Sequence, residues 1–422
     1  MKRTFVLFII LFGIQQAYTQ PVVLKEVLKP NRDKLYRNII RNAINANLLM
    51  PLTDSTEENW EEAFRAMEVT RYRSPWADNK VVFAFDNMQN RSADFQRAVL
   101  EFGYSIHPKY YYRQVRSLLT QTADAKIFSM CAEYIMQTDQ AGIMKDSLLT
   151  WLQQRLDADN KNPFLLQLKY RLEESGKPLK VPPVQAFLQK NYLPGHVLLI
   201  SFQRKNRNYP GLVMVRDASG NFLKDENGNY FSLTQLARSM NNLPGYLTNG
   251  NTPEGIFRMW GFDHSKSTFI GPSTNIQLTM PFEKTPAFFY NNASISDTSW
   301  RIEAYKRLLP DSFKNYFPAY QSFYAGKAGR TEIIAHGTTI DPSWYRGQQY
   351  YPISPTQGCL CTKEIWSSTT GMLEDSDQER LAAAVSKAGG PNGYAIVINI
   401  DEKEAPVVID DIIPFLLLAG QQ

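Results

Sequence analysis

A histidine and a cysteine late in the chain have the types and local setting of a nucleophilic pair. His336 ends a short apolar run at residues 333–335 and is followed by Gly337, and Cys359 directly follows Gly358. A thiol attacks an acyl carbon as the thiolate, which a neighbouring imidazole can generate and hold as an ion pair. Gly358 gives the backbone freedom to turn and to offer amide groups to an oxyanion. The pair predicts acyl transfer through Cys359, with His336 as its base.

Cys361 allows a second use of the same residues. Two cysteines and His336 are ligand types that Zn²⁺ accepts, but Cys-x-Cys is shorter than the usual spacing and no fourth ligand is evident. We therefore predict neither a metal nor a cofactor, and a third interpretation treats Cys359 and Cys361 as half-buried thiols without a role. We expect the two cysteines to point to opposite faces of an extended segment. Only Cys359 would then reach the site, and no disulfide would join them.

Residues between the two halves of the pair are candidates for contacts with a substrate. Tyr351 belongs to an aromatic segment, residues 342–352, that also contains proline and glycine. Such a loop could cross the mouth of the site and cover a bound peptide, or its rings could simply pack it onto the sheet. Arg346 is the candidate partner of a substrate carboxylate, because its planar fork suits that group.

Two regions with different periodicity must position these residues. Apolar side chains recur every three or four positions across residues 23–174, which predicts amphipathic helices. Cys131 lies on one of the apolar faces, and we expect it in the core. This helical part is interpreted as a scaffold or a docking module for a partner. A segment rich in proline and charge, residues 173–183, ends it and predicts a domain boundary.

Strand patterns dominate the rest of the chain. Apolar, β-branched runs occur at residues 196–202, 211–215, 276–280 and 394–400, with helical insertions at 302–309 and 378–388. The sequence therefore predicts an α+β multidomain protein. Its domains are an all-α helical domain at residues 20–180 and a β-rich catalytic domain with peripheral helices at residues 185–422.

The first residues indicate export. Lys2 and Arg3 precede an apolar run at residues 5–14, and polar and small residues follow up to Thr19. This layout predicts a secretory signal peptide at residues 1–19 and a periplasmic or secreted protein. An uncleaved anchor is the less favoured alternative, because a spanning helix needs ~20 apolar residues. No membrane span is then expected after signal cleavage.

Composition excludes two further classes. Three cysteines are too few for a disulfide framework in an exported chain. A formal net charge of +5, spread over the whole chain, is too small for a nucleic-acid footprint. We therefore expect no nucleic-acid partner.

Three segments resemble the catalytic domain of the L,D-transpeptidase family, in the family's order. Residues 251–259 resemble its Thr-Pro-x-Gly-x-Phe segment, residues 335–338 its His-Gly-Thr motif, and residues 356–360 its Ser/Thr-His-Gly-Cys motif. The resemblance covers residues 194–422 and leaves the helical part unassigned. It implies a transferase of cell-wall biogenesis and cell shape, which attacks the amide after the third residue of a peptidoglycan stem peptide.

The resemblance also implies residue roles. Cys359 would be the nucleophile, His336 the proton acceptor and later the donor, and the Gly337 carbonyl the group that orients the imidazole. The amides of Gly358 and Cys359 would form the oxyanion hole. Thr356 and Gln357 would lie beside the substrate, and Gln357 stands where the family usually has a second histidine.

Two function classes follow. The first is an exported cysteine acyltransferase that cross-links or trims peptidoglycan stem peptides. The second is a catalytically weak peptidoglycan-binding or scaffold protein, in which the helical domain recruits an envelope protein. If His336 activates Cys359, the thiol should react below the unperturbed pKa of ~8.5.

Overall fold

The computed structural model describes residues 23–138 and 140–420, so the predicted signal peptide lies outside the described residues. The protein is α+β, as predicted: helices come first and a barrel of strands follows. Within the described ranges, no helix is both long and apolar enough to cross a membrane.

Helices occupy residues 29–174, here called the helical region. They are α1 (Lys29–Asn38), a π-helical continuation (Ile39–Ala46), α2 (Asn47–Leu49), α3 (Glu57–Thr70), α4 (Pro75–Asn87), α5 (Ala93–Ile106), α6 (Tyr112–Gln121), α7 (Ala125–Met136), α8 (Ala141–Ala158) and α9 (Pro163–Glu174). Side chains cap several N-termini: Ser74 accepts a hydrogen bond from the amide of Ala77, and Asn162 accepts one from that of Phe164. Such caps satisfy amides that the helix itself leaves unpaired.

The apolar helix faces pack into one core. Trp60, Phe64 and Cys131 are buried there, so the prediction for Cys131 is confirmed. Leu35, which carries the periodicity of α1, is instead exposed at the surface. The core also receives three apolar side chains from the loop at residues 243–251, here called the bridging loop: Leu243, Tyr246 and Leu247.

Strands form a closed barrel and a small separate sheet. They are β1 (Val197–Arg204), β2 (Gly211–Arg216), β3 (Ser232–Leu236), β4 (Gly255–His264), β5 (Thr274–Thr279), β6 (Ile334–His336), β7 (Leu360–Thr362), β8 (Glu364–Trp366), β9 (Leu373–Ser376) and β10 (Gly393–Asp401). The barrel order is β1-β10-β4-β5-β6-β7-β3-β2, and β8 pairs with β9. The pairs β1/β10 and β6/β7 are parallel, which places the ends of β6 and β7 side by side. Residues 197–420 are here called the barrel region.

Helices cover the barrel. They are α10 (Pro286–Phe289), α11 (Ile302–Lys306), α12 (Gln321–Lys327), α13 (Asp377–Lys387) and α14 (Ile409–Gly420). Strand β1 is buried along its whole length, and its side chains alternate between two cores. Leu198 and Ile200 pack with α14, and Val197 and Leu199 pack with α13. A continuous apolar run is the pattern expected of a strand buried on both faces.

Four of the strands and two of the helices match the sequence predictions closely. Strands β1, β2, β5 and β10 lie at the predicted runs, and α11 and α13 at the predicted insertions. The sequence analysis predicts no individual element at strands β3, β4, β7, β8 and β9 or at helices α10, α12 and α14.

Candidate functional site

Strands β6 and β7 bring the histidine and cysteine segments together. They are parallel neighbours, with His336 opposite Cys361. Cys359 lies just before β7 and follows Gly358, whose φ of +113° is one that side chains rarely adopt. A Cβ on Gly358 would lie 1.8 Å from Nη2 of Arg330. The residue before the thiol must therefore be glycine, both for its backbone conformation and for the space that Arg330 occupies.

His336 and Cys359 line the same cavity, which has a volume of about 470 Å³. Thr356 and Gln357 line it too, as predicted for residues beside a substrate. Val69 of α3 contributes to its wall, so the helical region takes part in the site. A second cavity of about 520 Å³ also reaches Cys359 and is lined by residues that include Asp263, Glu283, Lys284 and Glu332.

The imidazole of His336 is buried and oriented by the backbone. Its Nδ1 lies 2.5 Å from the carbonyl oxygen of Gly337. This contact assigns the proton to Nδ1 and leaves Nε2 as the acceptor. Burial lowers the pKa of His336, and the hydrogen bond to Gly337 opposes that shift. The neutral imidazole is thus favoured, which is the form that can act as a base.

The thiol of Cys359 is half-buried, and Sγ lies 3.5 Å from the carbonyl oxygen of Glu332. Burial raises the pKa of Cys359 to about 11, opposed by the Ile334 amide and the Arg330 guanidinium. In the part of the chain that the structure describes, no hydrogen bond joins Sγ to the ring of His336. Burial therefore favours a neutral thiol and a neutral imidazole in the same cavity. The expectation of a thiolate–imidazolium pair that reacts below pH ~8.5 is opposed by these shifts.

The turn before Cys359 is held by the hydroxyl of Thr356. This oxygen accepts from the Gly358 amide at 3.0 Å and donates to the Cys359 carbonyl at 2.9 Å. The Gly358 amide is thus engaged within the turn, and the predicted oxyanion role of that amide is not available in this conformation. The Cys359 amide stays the predicted donor, with the exposed Gln357 beside it in the cavity.

Arg346 and Tyr351 are placed elsewhere. Both are exposed, Tyr351 at 43%, and neither lines the cavity of His336 and Cys359. Buried Tyr345, on the same loop, donates from Oη to the Val69 carbonyl at 2.9 Å and helps to fix the loop against α3. This contact agrees with the second interpretation of the segment, in which its rings pack the loop onto the rest of the protein.

Arg330 is the cation of this cavity, and sequence reasoning missed it. It is only 4% exposed, and it donates to the carbonyl oxygens of Gly245, Gly250 and Asn251, the last at 2.8 Å. No periodicity or motif marks this arginine, because its partners are backbone atoms about 80 residues away. Its position after Gly329 was the only local signal.

Cys361 is completely buried, in a cluster with Tyr345 and Tyr350, whereas Cys359 faces the cavity. The two thiols are separated as expected, and both are free. The expected reason was wrong, since alternate residues of a strand share a face. The separation arises because Cys359 precedes β7, in the turn that Gly358 begins. Across the described residues, no group of three His, Cys, Asp or Glu side chains could hold a metal ion.

The three segments quoted for the resemblance meet at this site. Thr252, from the first segment, donates from Oγ1 to the carbonyl oxygen of Gly358 at 2.8 Å. The second and third segments are neighbours through β6 and β7. Residues far apart in the sequence therefore converge on the Gly358–Cys359 turn.

Comparisons with known proteins return no relative. No family model matches the chain, and no curated protein or solved structure is significantly similar to it. The resemblance to the L,D-transpeptidase catalytic domain rests on the three segments and stays a prediction.

Proposed function

We propose that the protein is an exported cysteine acyltransferase that acts on peptidoglycan stem peptides, as an L,D-transpeptidase or an L,D-carboxypeptidase. The observation that carries the proposal is the shared cavity of Cys359 and His336, with Nδ1 of the histidine held by Gly337. A nucleophile, a base and a group that orients the base form the general arrangement of acyl-transfer sites.

In the proposed first step, Nε2 of His336 takes the thiol proton while Sγ of Cys359 attacks the carbonyl carbon of the peptide bond. The oxyanion accepts a hydrogen bond from the Cys359 amide. Collapse of the intermediate breaks the C–N bond, and the imidazolium gives its proton to the leaving amine. A thioester remains on Cys359.

In the second step, an amine or water loses a proton to His336 and attacks the thioester carbon. The thiolate leaves and regains its proton from the imidazolium. An amine gives a cross-link and water gives a shortened peptide, so the two activities differ only in the acceptor. The neutral resting forms of both side chains suit a route in which proton transfer accompanies attack.

The proposal includes the arrangement of the chain. Residues 20–180 form the helical domain, which could dock an envelope protein, and residues 185–422 form the L,D-transpeptidase-like domain. Export by the signal peptide at residues 1–19 brings the enzyme to the periplasm or outside the cell.

Incubation with disaccharide tetrapeptides tests the proposal. We expect either a dimer joined between third residues or a monomer shortened by one amino acid, detected by mass spectrometry. Both products should vanish in Cys359→Ala, while Cys131→Ala, a matched change in the helical core, should retain them. Absence of both products with any stem peptide would contradict the proposal.

One observation favours the second candidate, a catalytically weak peptidoglycan-binding or scaffold protein. Burial raises the pKa of Cys359 to about 11, which keeps the thiol protonated at neutral pH. On this alternative, stem peptides bind the cavity but form no thioester. Saturable binding that is equal in the wild type and Cys359→Ala, without any covalent adduct, would support it.

A further inference from the structure

We propose that Arg330 is a positioning residue for Cys359, and that it links the Gly358–Cys359 turn to the bridging loop and so to the helical region. The catalytic meaning of this inference rests on the proposed function. The contacts of Arg330 are independent of it.

Backbone carbonyls of the bridging loop hold Arg330 in place. Its guanidinium is buried and donates to carbonyl oxygens at both ends of the bridging loop, those of Gly245, Gly250 and Asn251. Burying a charge is costly unless it is well hydrogen-bonded, and the planar fork of arginine allows several bonds at fixed angles. Carbonyl oxygens are neutral, so these contacts fix the guanidinium without cancelling its charge.

Arg330 in turn packs against the Gly358–Cys359 turn. Nη2 of Arg330 lies only 1.8 Å from the ideal position of a Cβ on Gly358, which leaves no space for a side chain there. The guanidinium therefore packs directly against the backbone that leads into Cys359. Thr252 holds the same residue from its carbonyl side, at 2.8 Å. The turn that presents the thiol is thus set between Arg330 and Thr252.

Arg330 and Cys359 also interact electrostatically. Burial lowers the pKa of Arg330 to about 10, and the nearby Cys359, when it is ionised, and Glu283 oppose that shift, so the guanidinium stays protonated at neutral pH. The interaction with Arg330 opposes the effect of burial on the pKa of the Cys359 thiol, whereas the carboxylates of Glu332 and Glu283 add to that effect. A thiolate that forms during attack would therefore be stabilised by Arg330.

Three hydrogen bonds connect the bridging loop to the helical region. The Tyr246 hydroxyl donates to Oε1 of Glu133 at 2.9 Å, and Nζ of Lys126 donates to Oγ1 of Thr248 at 2.6 Å. Nδ2 of Asn249 donates to Oε2 of Glu101 in α5 at 3.2 Å. With the apolar side chains of the loop in the helical core, these bonds fix the carbonyls that receive Arg330. The helical region thereby acquires a role in the geometry of the thiol.

Alkylation of Cys359 by iodoacetamide, followed by peptide mapping over a range of pH without substrate, tests the charge. Arg330→Gln should move the profile up by about one pH unit, because loss of an opposite charge at close range shifts a pKa by roughly 1 to 3 units. The matched control Arg301→Gln changes an exposed arginine and should leave the profile unchanged. A folded Arg330→Gln protein with the wild-type profile would overturn this part of the proposal.

Arg330→Lys tests the fork separately, since it keeps the charge and loses the planar set of donors. We expect acylation by a carbapenem to slow by about tenfold while the alkylation profile moves less than in Arg330→Gln. Wild-type values of both would contradict positioning. If neither variant folds, Tyr246→Phe reports through the bridging loop, and it should slow acylation several-fold; an unchanged rate would overturn the link to the helical region.

The outcomes separate this inference from the proposed function. An alkylation profile that depends on Arg330, without acyl transfer to any acceptor, would retain the positioning role and reject the enzyme. Acyl transfer at the same rate in the wild type and in both Arg330 variants would retain the enzyme and reject the positioning role.

Discussion

Glu133 of the helical region and two ionisable side chains at the candidate site of the barrel region, His336 and Arg330, are held in different ways. In the helical region, Glu133 receives two hydrogen bonds from Arg171, one of them at 2.9 Å, and a third from Tyr246. In the barrel region, His336 and Arg330 are held by backbone carbonyls. A matched ion pair fixes a structure, whereas buried groups whose hydrogen-bond partners are neutral carbonyls keep shifted pKa values and remain available for chemistry.

The largest expected contrast lies among the three cysteines. Cys359 faces the cavity, whereas Cys131 and Cys361 are completely buried in their cores. Alkylation of the buried thiols requires local or global opening, whose free energy can approach that of unfolding. We therefore expect native-state alkylation of Cys359 to be at least ~10³-fold faster, measured by peptide mapping. Comparable rates at all three positions would remove the distinction between the thiol of the candidate site and the buried thiols of the two regions.

His336→Ala should have the next largest effect. A positioned general base contributes roughly 10² to 10⁴ in rate, so acylation of Cys359 by a stem peptide or a carbapenem should fall by that factor. Because burial lowers the pKa of His336, the wild-type rate should hold at pH values below the usual imidazole pKa of ~6.5 and fall only at lower pH. His264→Ala, at an exposed histidine of β4, is the control. An equal loss in both variants would argue against a specific base.

The ion pair of the helical region should matter for stability first. Glu133→Ala leaves the guanidinium of Arg171 without its carboxylate, and because 34% of the Arg171 side chain is exposed, water replaces part of that pairing. We expect a cost of about 1.5 to 3 kcal/mol in the free energy of unfolding. Tyr246→Phe removes only one hydrogen bond and should cost about 1 kcal/mol. Urea unfolding measures both. Equal costs would indicate that the carboxylate does not serve mainly to match Arg171.

The smallest expected effect is a pH dependence of the helical region. Burial raises the pKa of Glu68 in α3, and the neighbouring Glu101 raises it further. The folded state then binds more protons than the unfolded state above pH ~4.5, so the free energy of unfolding should decrease as pH rises through that window. Glu68→Gln should flatten this slope, measured by urea unfolding at pH 5 and pH 7. An unchanged slope would show that Glu68 is not its source.

The strands that sequence reasoning found have continuous apolar runs, as in β1, β2 and β10, or a regular alternation of apolar and polar residues, as in β5. Strand β4 escaped because only its first half is buried, and a bulge near Gly261 breaks its alternation. Strand β7 has three residues, too few for a period. Helix α14 follows directly on a charged, proline-containing loop, and its Pro414 argues against a helix.

The candidate site was predictable only where residue type carries the chemistry. Cys359 and His336 have reactive side chains and lie in segments that resemble the L,D-transpeptidase motifs, and the Gly337 carbonyl is adjacent in sequence. The place of Arg330 depends on carbonyls of a loop that is itself fixed by the helical core, and no local pattern encodes such contacts. Arg346 lies near the motif in sequence and has the planar fork that suits a carboxylate, but the fold places it at the surface.

The most direct test of the central claim is the intact mass of the protein after incubation with a carbapenem at neutral pH. We expect one covalent adduct per chain, mapped to Cys359, slowed in His336→Ala and absent in Cys359→Ala. An adduct that persists in Cys359→Ala, or the absence of any adduct in the folded wild-type protein, would contradict the account of Cys359 as a nucleophile activated by His336.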